Sequence, residues 1–354
     1  MSKKLVGISE IADMADVTRQ AVTNWRMRYD DFPKSAEDLQ SGPVWNREDI
    51  EQWLKQREGR TPHVISFINL KGGVAKTTTA VATAEILAKE HRKYVLFIDL
   101  DPQTNGTINL ISEEKWKEMD ESERTLAQLF QDRISFDREP KFKIEDSIVH
   151  QVSTIDDGIS RLDLLPSSIK LVNIQDKIAA VSFADDYRDP REILKTALEP
   201  VIDRYDYVII DCPPSLGVVT KNGLRISTGY IIPTIPDILS TWGVFQIVDS
   251  VHRFAGEMRR PIHPLGIVAT KVQVNSLHTR VQADLQAGRL FEGKPTTIKQ
   301  PAMFNNTIAQ RAATAMGADF DSNPRTFRQK YGSNYEAFKG LTQEIIDRCN
   351  ALRP

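Results

Sequence analysis

The sequence predicts an α/β protein whose doubly wound, mostly parallel sheet is flanked by helices, with a small α-rich winged-helix domain at the N-terminus. Three observations support this prediction. An apolar, β-prone run over residues 64–70 leads through a glycine turn into an alanine-rich helical pattern over 78–89. Two more continuous apolar runs, 94–99 and 207–211, are typical of parallel strands buried on both faces. Residues 1–58 instead carry short amphipathic helical patterns.

The length of the chain indicates more than one domain. At 354 residues it exceeds a typical single domain, so one large domain with a smaller one is the expected division. We predict a small module over 1–58, a linker over 59–63 that contains Gly59 and Pro62, and the α/β domain over 64–354.

The composition is that of an ordinary globular protein, with 40% apolar and 27% charged residues. The apolar runs fall short of the ~20 residues needed to cross a bilayer, and the start of the chain lacks the apolar core of a signal peptide. We therefore expect a cytoplasmic protein without membrane contact, in which the amphipathic pattern over 335–352 packs on the domain. The two cysteines, Cys212 and Cys349, are too few for a metal cluster or a disulfide framework.

The first module has the pattern of a helix-turn-helix. In residues 8–15 the apolar positions share one helical face, and a second short helix is predicted over 19–27. Between them, Asp16 tolerates a left-handed turn and Thr18 is a good N-cap. The exposed face of the second helix would carry side chains that suit base edges and phosphates. These predicted DNA-binding residues are Thr18, Arg19, Gln20, Thr23, Asn24 and Arg26.

The rest of the module is consistent with a winged helix. Residues 41–45 predict a short hairpin or wing, and Asn46 precedes a helix with an acidic start over 47–57. The segment resembles a MerR/AlpA-like winged helix, which implies that it reads DNA. A purely structural or dimerising module is the alternative.

Residues 68–80 predict a phosphate-binding loop of the P-loop type. A strand, a glycine turn, a Lys-Thr pair and a helix follow one another in the order that such a cradle requires. The pair Gly72-Gly73 lets backbone N–H groups converge on phosphate oxygens, and the next helix directs its positive end at the same place. Lys76 supplies a charge for the β- and γ-phosphates, and the Thr77 hydroxyl can bind Mg²⁺. The predicted nucleotide-binding residues of this loop are Lys71, Gly72, Gly73, Val74, Ala75, Lys76, Thr77 and Thr78.

The loop differs from the standard G-x-x-x-x-G-K-[ST] pattern, because Leu70 and Ala75 replace its two glycines. Ala75 fits if its backbone is near-helical. An extra lysine, Lys71, precedes the paired glycines. The resulting K-G-G-x-x-K-[ST] pattern resembles the deviant Walker A loop of the ParA/MinD family of ATPases, in which the first lysine reaches across a dimer interface to the partner's nucleotide. For the string by itself, a surface turn is the alternative.

A second motif, D-L-D-P-Q at 99–103, lies at the carboxyl end of the strand predicted over 94–99, where ligand sites of α/β proteins are found. It resembles switch I of the family, whose second aspartate polarises the attacking water, so that role falls to Asp101. A carboxylate there can accept a hydrogen bond from water in line with the γ-phosphate. Taken alone, the string is equally typical of a capped turn after a strand.

A third motif ends the apolar run over 207–211. Its aspartate, Asp211, has the Walker B arrangement, in which the carboxylate holds Mg²⁺ directly or through water. The D-x-P-P string that begins there resembles switch II of the family, so the segment up to Lys221 is expected to respond to the γ-phosphate. The resemblance gives Thr77, Asp211 and Asp101 as the metal site, and Lys71, Lys76 and Asp101 as the catalytic residues.

Two further regions carry weaker signals. Residues 112–160 include an amphipathic helical pattern with Trp116 among its apolar positions, and this insertion would cover the site or contact partners. The resemblance places the adenine against the loop after the strand 229–233, at Pro236 and Asp237.

Charge is uneven along the chain although the net charge is −2. Residues 253–311 contain nine lysines and arginines but three aspartates and glutamates. In relatives, an ATP-dependent dimer exposes such arginines as a face for non-specific DNA, bound by phosphate neutralisation and counterion release. A solvated charged surface is the alternative. The predicted DNA contacts of this domain are Arg280, Arg311, Arg325 and Arg328.

The resemblance covers residues ~63–350 and implies an ATPase that partitions DNA. It implies ATP and Mg²⁺ as cofactors, a sandwich homodimer that forms only with ATP, non-specific binding to nucleoid DNA, and hydrolysis stimulated by a ParB-like partner. The N-terminal module would separately recognise an operator and repress the partition genes. Three alternatives remain: the same ATPase positioning another cargo, such as a microcompartment or a receptor cluster, a metabolic enzyme of the same P-loop class, and a non-catalytic transcriptional regulator.

Overall fold

The computed structural model divides the chain into two compact units, Met1–Thr61 and Pro62–Pro354. Each unit has its own sheet. The structure describes residues 5–15, 19–28, 32–39, 42–57, 62–135, 140–180, 189–292, 298–311 and 323–352.

The first unit combines helices with a small antiparallel sheet. Its described elements are β1 Leu5–Val6, α1 Ile8–Ala15, α2 Arg19–Arg28, β2 Glu37–Leu39, β3 Gly42–Asn46 and α3 Arg47–Arg57. The sheet has the order β1-β3-β2. The predicted hairpin at 41–45 overlaps only β3, whose antiparallel partner β2 lies earlier in the chain. Both helices predicted before it are present. The sequence does not indicate β1, because two residues are too few to show a periodic pattern.

An aromatic cluster holds the first unit together. The ring of Phe32 lies 5.6 Å from that of Trp45 and 4.9 Å from that of Trp53, both edge to face. Trp25 of α2 packs on Trp53 of α3 at 5.4 Å. All four side chains are buried, and such ring pairs add about 0.5–1.5 kcal/mol each beyond the area that they bury. The unit therefore has a core of its own.

The second unit is built on a six-stranded parallel sheet. Its strands are β4 His63–Phe67, β5 Val95–Asp99, β6 Leu162–Leu165, β7 Tyr207–Asp211, β8 Gly229–Thr234 and β9 His263–Ala269. Their order in the sheet is β6-β5-β7-β4-β8-β9. This arrangement confirms the predicted α/β fold class. Because the strands are parallel, their carboxyl ends meet at one edge of the sheet.

Helices flank this sheet, and among the described ones none combines the length and apolarity that crossing a bilayer requires. The last helix packs on the domain as expected, with Phe338, Leu341 and Ile345 fully buried. The helices of the second unit are α4 Lys76–Lys89, α5 Asn105–Leu110, α6 Glu113–Glu121, α7 Leu126–Ser135, α8 Ile144–Ser147, α9 Leu171–Ala180, α10 Ile193–Leu198, α11 Val218–Ile226, α12 Ile238–Met258, α13 Ser276–Gln286, α14 Phe327–Tyr331 and α15 Tyr335–Asn350.

A buried ion pair connects α4 to the C-terminal part of the chain. Glu85 of α4 is 0% exposed and Lys330 of α14 is 1% exposed. The Lys330 Nζ lies 2.7 Å from Glu85 Oε1 and donates a second hydrogen bond to the carbonyl of Asn109, at 3.3 Å. The hydroxyls of Ser153 and Tyr331 also donate to the Glu85 carboxylate. The glutamate thus has three partners, which come from two separate parts of the chain.

Candidate active site

A cavity of about 610 Å³ opens at the carboxyl edge of the sheet, where β4, β5 and β7 end. It brings together most of the residues predicted for the phosphate site. Val74 lies behind the cavity wall, 1% exposed, and its carbonyl accepts a hydrogen bond from Thr270 Oγ1 at 2.8 Å. The predicted residues that line the cavity are Lys71, Gly72, Gly73, Ala75, Lys76, Thr77, Thr78 and Asp101.

The backbone of the loop leaves room for phosphate. A Cβ atom added to Gly72 or Gly73 would meet no atom within 4 Å, and Gly73 has a left-handed φ of 73°. Helix α4 begins at Lys76, so its N-terminal N–H groups and positive dipole end are directed at the same space.

Ala75 differs from the expectation of a near-helical backbone. Its φ of 57° and ψ of 29° are left-handed, a conformation that costs a residue with a Cβ roughly 1–2 kcal/mol. The residue precedes the helix, and its carbonyl accepts the N–H of Thr79 at 3.0 Å. A glycine, the usual residue in this loop, would adopt this turn without that strain.

Lys76, Thr77 and Asp211 form a cluster at the start of α4, in which Lys76 and Asp211 are buried and Thr77 is partly buried. The Nζ of Lys76 lies 2.5 Å from Asp211 Oδ1 and 3.5 Å from Asp101 Oδ2, and Thr77 Oγ1 donates to Asp211 Oδ2 at 2.5 Å. Burial would lower the pKa of Lys76, but the charges of Asp211 and Asp101 outweigh it and raise that pKa. The lysine therefore stays positively charged at the place where a polyphosphate would bind.

The same cluster suits Mg²⁺. In the described part of the chain, no group of three or more His, Cys, Asp and Glu side chains is arranged to hold a metal ion unaided. Mg²⁺ at nucleotide sites prefers one or two protein oxygens together with phosphates and waters. The adjacent oxygens of Thr77 and Asp211 supply that kind of donor set, so the residues present fit the ion.

Asp99 is a site residue to which the sequence motifs assign no role. It is 0% exposed, and its Oδ2 accepts both the N–H and the hydroxyl of Thr107, at 2.7 and 2.8 Å. Its Oδ1 accepts the N–H of Asp101 at 3.1 Å. Burial and the negative charge of Asp211 raise the pKa of Asp99 to about 7. The sequence feature that points to this residue is its position as the first aspartate of D-x-D at the end of a strand.

Asn69 is a second site residue to which the sequence motifs assign no role. It is 1% exposed, its Oδ1 accepts the N–H of Lys71 at 2.8 Å, and its Nδ2 donates to the carbonyl of Pro233 at 2.6 Å. It therefore fastens the start of the loop to the end of β8. The signal in the sequence was a polar residue inside an otherwise apolar run.

Lys71 is held within its own chain. Its Nζ donates to Asp237 Oδ2 at 3.1 Å and to Ser240 Oγ at 2.9 Å. Asp237 also caps α12, because its Oδ1 accepts the N–H of Ser240 at 2.7 Å. Burial would raise the pKa of Asp237, but the hydrogen bonds from Ser240 and Lys71 lower it. The Lys71 side chain is 42% exposed, so it lies at the rim of the cavity.

Pro236 and Asp237, which the resemblance gives as the adenine contacts, do not line the cavity. Pro236 is buried and Asp237 is occupied as the helix cap beside Lys71. The wall beyond the phosphate loop is formed instead by Pro214, Lys271 and residues 308–311. Residues 308–311 lie in an irregular segment whose place the sequence pattern does not reveal.

The four arginines predicted to bind DNA in the second unit are all exposed. Arg280 lies on α13, and Arg311 lines the cavity. Arg325 pairs with Asp157, and Arg328 pairs with Glu336 at 2.7 Å and covers the ring of Tyr335. Two of the four cations are thus partly neutralised by neighbouring carboxylates.

The first unit presents part of its predicted DNA-reading face. Arg19 and Arg26 of α2 are exposed, and the Arg26 guanidinium lies 5.9 Å from the ring centre of Trp45. The Thr23 hydroxyl donates to the carbonyl of Arg19 at 3.0 Å, so its proton is used within the helix. Thr18 and the side chains of Gln20 and Asn24 lie outside the described residues.

Residues 62–263 match the protein-family model described as an AAA domain, AAA_31. The match covers more than half of the chain and includes the three predicted phosphate-site motifs.

Several curated proteins are similar to most of this chain. The sporulation initiation inhibitor protein Soj of Bacillus subtilis is 30% identical over 219 residues, which cover 60% of this chain and 74% of that protein. The chromosome-partitioning ATPase Soj of Thermus thermophilus is 30% identical over 261 residues, or 72% and 90% of the two chains. The uncharacterized protein Rv1708 of Mycobacterium tuberculosis is 28% identical over 286 residues, or 80% and 79%.

Solved structures share the fold. McdA of Cyanothece in its apo form gives a TM-score of 0.60 at 20% identity, covering 80% of this chain and 99% of that one. A plasmid partition protein of Borrelia burgdorferi bound to AMPPNP gives 0.57 at 24% identity, with 81% and 99% covered. Cobyrinic acid a,c-diamide synthase of Mycobacterium smegmatis with an ATP analogue and magnesium gives 0.57 at 23%, with 82% and 97% covered.

Proposed function

Because this chain belongs to the ParA/MinD family of partition ATPases, we propose that it is an ATP-dependent DNA-partitioning protein. ATP and Mg²⁺ bind in the cavity, and two copies then form a sandwich dimer that binds DNA non-specifically. A ParB-like partner stimulates hydrolysis, and the resulting ADP releases the dimer, so that repeated cycles move plasmid or chromosome cargo. The protein acts in the cytoplasm, on the nucleoid.

The observation that carries this proposal is the joint placement of Lys76, Thr77, Asp211 and Asp101 at the N-terminus of α4. Lys76 and the loop amides hold the β- and γ-phosphates, and Thr77 and Asp211 hold the metal. When bound, Mg²⁺ supplies charge that neutralises the phosphates. Asp101 accepts a hydrogen bond from the attacking water and orients it in line with the γ-phosphate.

The surface around Lys71 supports a homodimer. Lys71 is proposed to complete the nucleotide site of the second copy. Three large apolar side chains lie on the first turns of α12, beside the Asp237 that holds this lysine: Ile238, Leu239 and Trp242 are 58%, 79% and 63% exposed. Contiguous exposed apolar surface of this kind is typical of a protein–protein contact. A second copy seated over the cavity would bury it together with Lys71.

The basic character of the region from Arg253 to Arg311 supports binding to DNA phosphates, in a manner that weakens steeply with salt. Arg280, which lies exposed on α13, is one of the basic residues of this region. The N-terminal module is proposed to read an operator through α2 and to repress the partition genes.

A second candidate is the positioning of a cargo other than DNA. It is favoured by the pairing of Arg325 with Asp157 and of Arg328 with Glu336, which lowers the charge available for phosphates. Steep salt dependence of DNA binding by the ATP-bound protein would support partition, whereas ATP turnover without DNA binding would support this candidate.

The Asp101→Ala variant tests the proposed reaction. We expect it to form the ATP-dependent dimer and to hydrolyse ATP about 100-fold more slowly, because the water loses its acceptor while the phosphate contacts remain. Phosphate release in single-turnover assays gives the rate. Asp120→Ala, which removes a carboxylate on α6, should hydrolyse ATP at the wild-type rate. Unchanged hydrolysis by Asp101→Ala would contradict the role of this carboxylate.

The Arg19→Ala variant tests operator reading by the full-length protein. We expect protection of DNA upstream of the gene to weaken about tenfold, because an exposed cation of α2 is lost. ATP-dependent non-specific binding should not change. Arg47→Ala, which removes a 44% exposed arginine of α3, is the matched control. A full-strength footprint with Arg19→Ala would exclude this arginine as a DNA contact.

A further inference from the structure

We propose that Ser167 is a positioning residue for ATP hydrolysis, because it holds the main chain of Asp101 in place. The inference rests on the proposed function, in which Asp101 orients the attacking water. Ser167 follows β6, a different strand from the one that carries Asp101.

Ser167 binds the carbonyl group of Asp101. The serine is 0% exposed, and its Oγ donates to the Asp101 carbonyl oxygen at 2.7 Å. The N–H of Thr104 donates to the same oxygen at 2.9 Å. A carbonyl oxygen has two acceptor sites, so both are filled and the peptide group after Asp101 is fixed in orientation.

A second connection runs from Ser167 to the amide of Asp101. The N–H of Ser167 donates to Thr107 Oγ1 at 3.0 Å, and this hydroxyl donates in turn to Asp99 Oδ2 at 2.8 Å. The other oxygen of Asp99 accepts the N–H of Asp101. Both peptide groups of Asp101 therefore belong to one closed set of hydrogen bonds, in which Ser167 takes part with its side chain and its backbone.

The insertion holds Ser167 itself. The Nε1 of Trp116 on α6 donates to the carbonyl of Ser167 at 3.1 Å, and the N–H of Leu126 on α7 donates to the carbonyl of Pro166 at 3.0 Å. The segment that follows Ile111 thus supports the active site from behind. The sequence of this insertion does not predict this supporting role.

The carboxylate of Asp101 has few remaining degrees of freedom once its backbone is fixed. Its Oδ1 accepts the N–H of Gln103 at 3.0 Å, and its Oδ2 lies 3.5 Å from Lys76 Nζ. A group that aligns water for in-line attack must be placed to within a fraction of an ångström. Removing the Ser167 hydroxyl should therefore slow hydrolysis while leaving the phosphate contacts of the loop intact.

The test compares Ser167→Ala with its neighbour in the full-length protein. With Mg²⁺ and ATP, we expect kcat of Ser167→Ala to fall about tenfold while KM stays within about twofold of the wild-type value. Ser167→Thr, which keeps a hydroxyl, should recover most of the rate. Ser168→Ala is the matched control: Ser168 is also 0% exposed, but its Oγ accepts the N–H of Lys170 at 3.1 Å.

Each outcome bears on the proposal. A wild-type kcat in Ser167→Ala, an equal loss in Ser168→Ala, or a rise of KM in step with the fall of kcat would overturn it. If Ser167→Ala does not fold, Thr107→Val and Thr107→Ser test the same hydrogen-bond set, and only the valine should lower kcat. A wild-type protein that hydrolyses no ATP would instead contradict the proposed function itself.

Discussion

The Lys71→Ala variant is expected to remain a monomer with Mg²⁺ and ATP, at concentrations where the wild-type chain doubles its mass. In the proposed dimer each copy donates this lysine to the nucleotide of the other, so the variant loses two charged hydrogen bonds to phosphate. Each such bond is worth about 1.5–3 kcal/mol. The combined loss of about 3–6 kcal/mol corresponds to a roughly 10²- to 10⁴-fold higher dissociation constant of the dimer.

The contacts that Lys71 makes within its own chain offset only a small part of the free energy gained from its bonds to the second copy's nucleotide. Before it can reach a second copy, the lysine must leave Asp237 and Ser240. Its side chain is 42% exposed and that of Asp237 is 24% exposed, and ion pairs with this degree of solvent contact contribute about 0–1 kcal/mol. The bonds to a buried phosphate therefore dominate, and the variant should not dimerise.

Light scattering with and without ATP measures the change in mass. Lys170→Ala is a suitable control, because Lys170 is 56% exposed and pairs with Asp120 at 2.9 Å on a different surface. An ATP-induced mass shift of wild-type size in Lys71→Ala would contradict the role of this lysine between subunits. The variant should also unfold at the wild-type temperature, since only a surface pair is lost.

The parts of the site that the sequence predicts are those that local order determines. Residues 71–78 are consecutive, so a strand, a turn and a helix place them without further information. Asp101 follows the buried strand β5 and Asp211 ends the buried strand β7, and parallel strands bring their carboxyl ends to one edge. These two carboxylates therefore come together at Lys76, 110 residues apart in the chain.

The parts that the sequence does not predict depend on tertiary packing. The left-handed backbone of Ala75 arises from the closure of the loop. An alanine by itself disfavours this conformation, so its residue type does not predict it. The cavity wall beyond the phosphates comes from residues 308–311, which have no periodic pattern. Ser167 becomes significant only because β6 lies beside β5 in the sheet. Charged residues such as Glu85 and Lys330 are expected at the surface, and the structure places both in the interior.

This buried pair gives the second large effect. The Lys330→Met variant is expected to lower the free energy of unfolding by about 3–5 kcal/mol, the usual cost of leaving one charge of a buried pair without its partner. Methionine has a similar length and can fill the space. The Glu85 carboxylate would keep the hydroxyls of Ser153 and Tyr331 but lose the ammonium that compensates its charge. The carbonyl of Asn109 would lose a donor as well.

Denaturant titration followed by circular dichroism measures this loss, and Lys339→Met provides the control. Lys339 lies on α15, is 51% exposed and pairs with Glu90 at 3.1 Å, so its loss should change the free energy by less than about 1 kcal/mol. Adding Glu85→Gln to Lys330→Met should restore part of the stability, because the uncompensated charge is then gone. Replacing Glu85 can restore stability only if its uncompensated charge causes the loss. If the single and double variants are equally unstable, the lost stability therefore reflects packing around residue 330 and not the buried carboxylate.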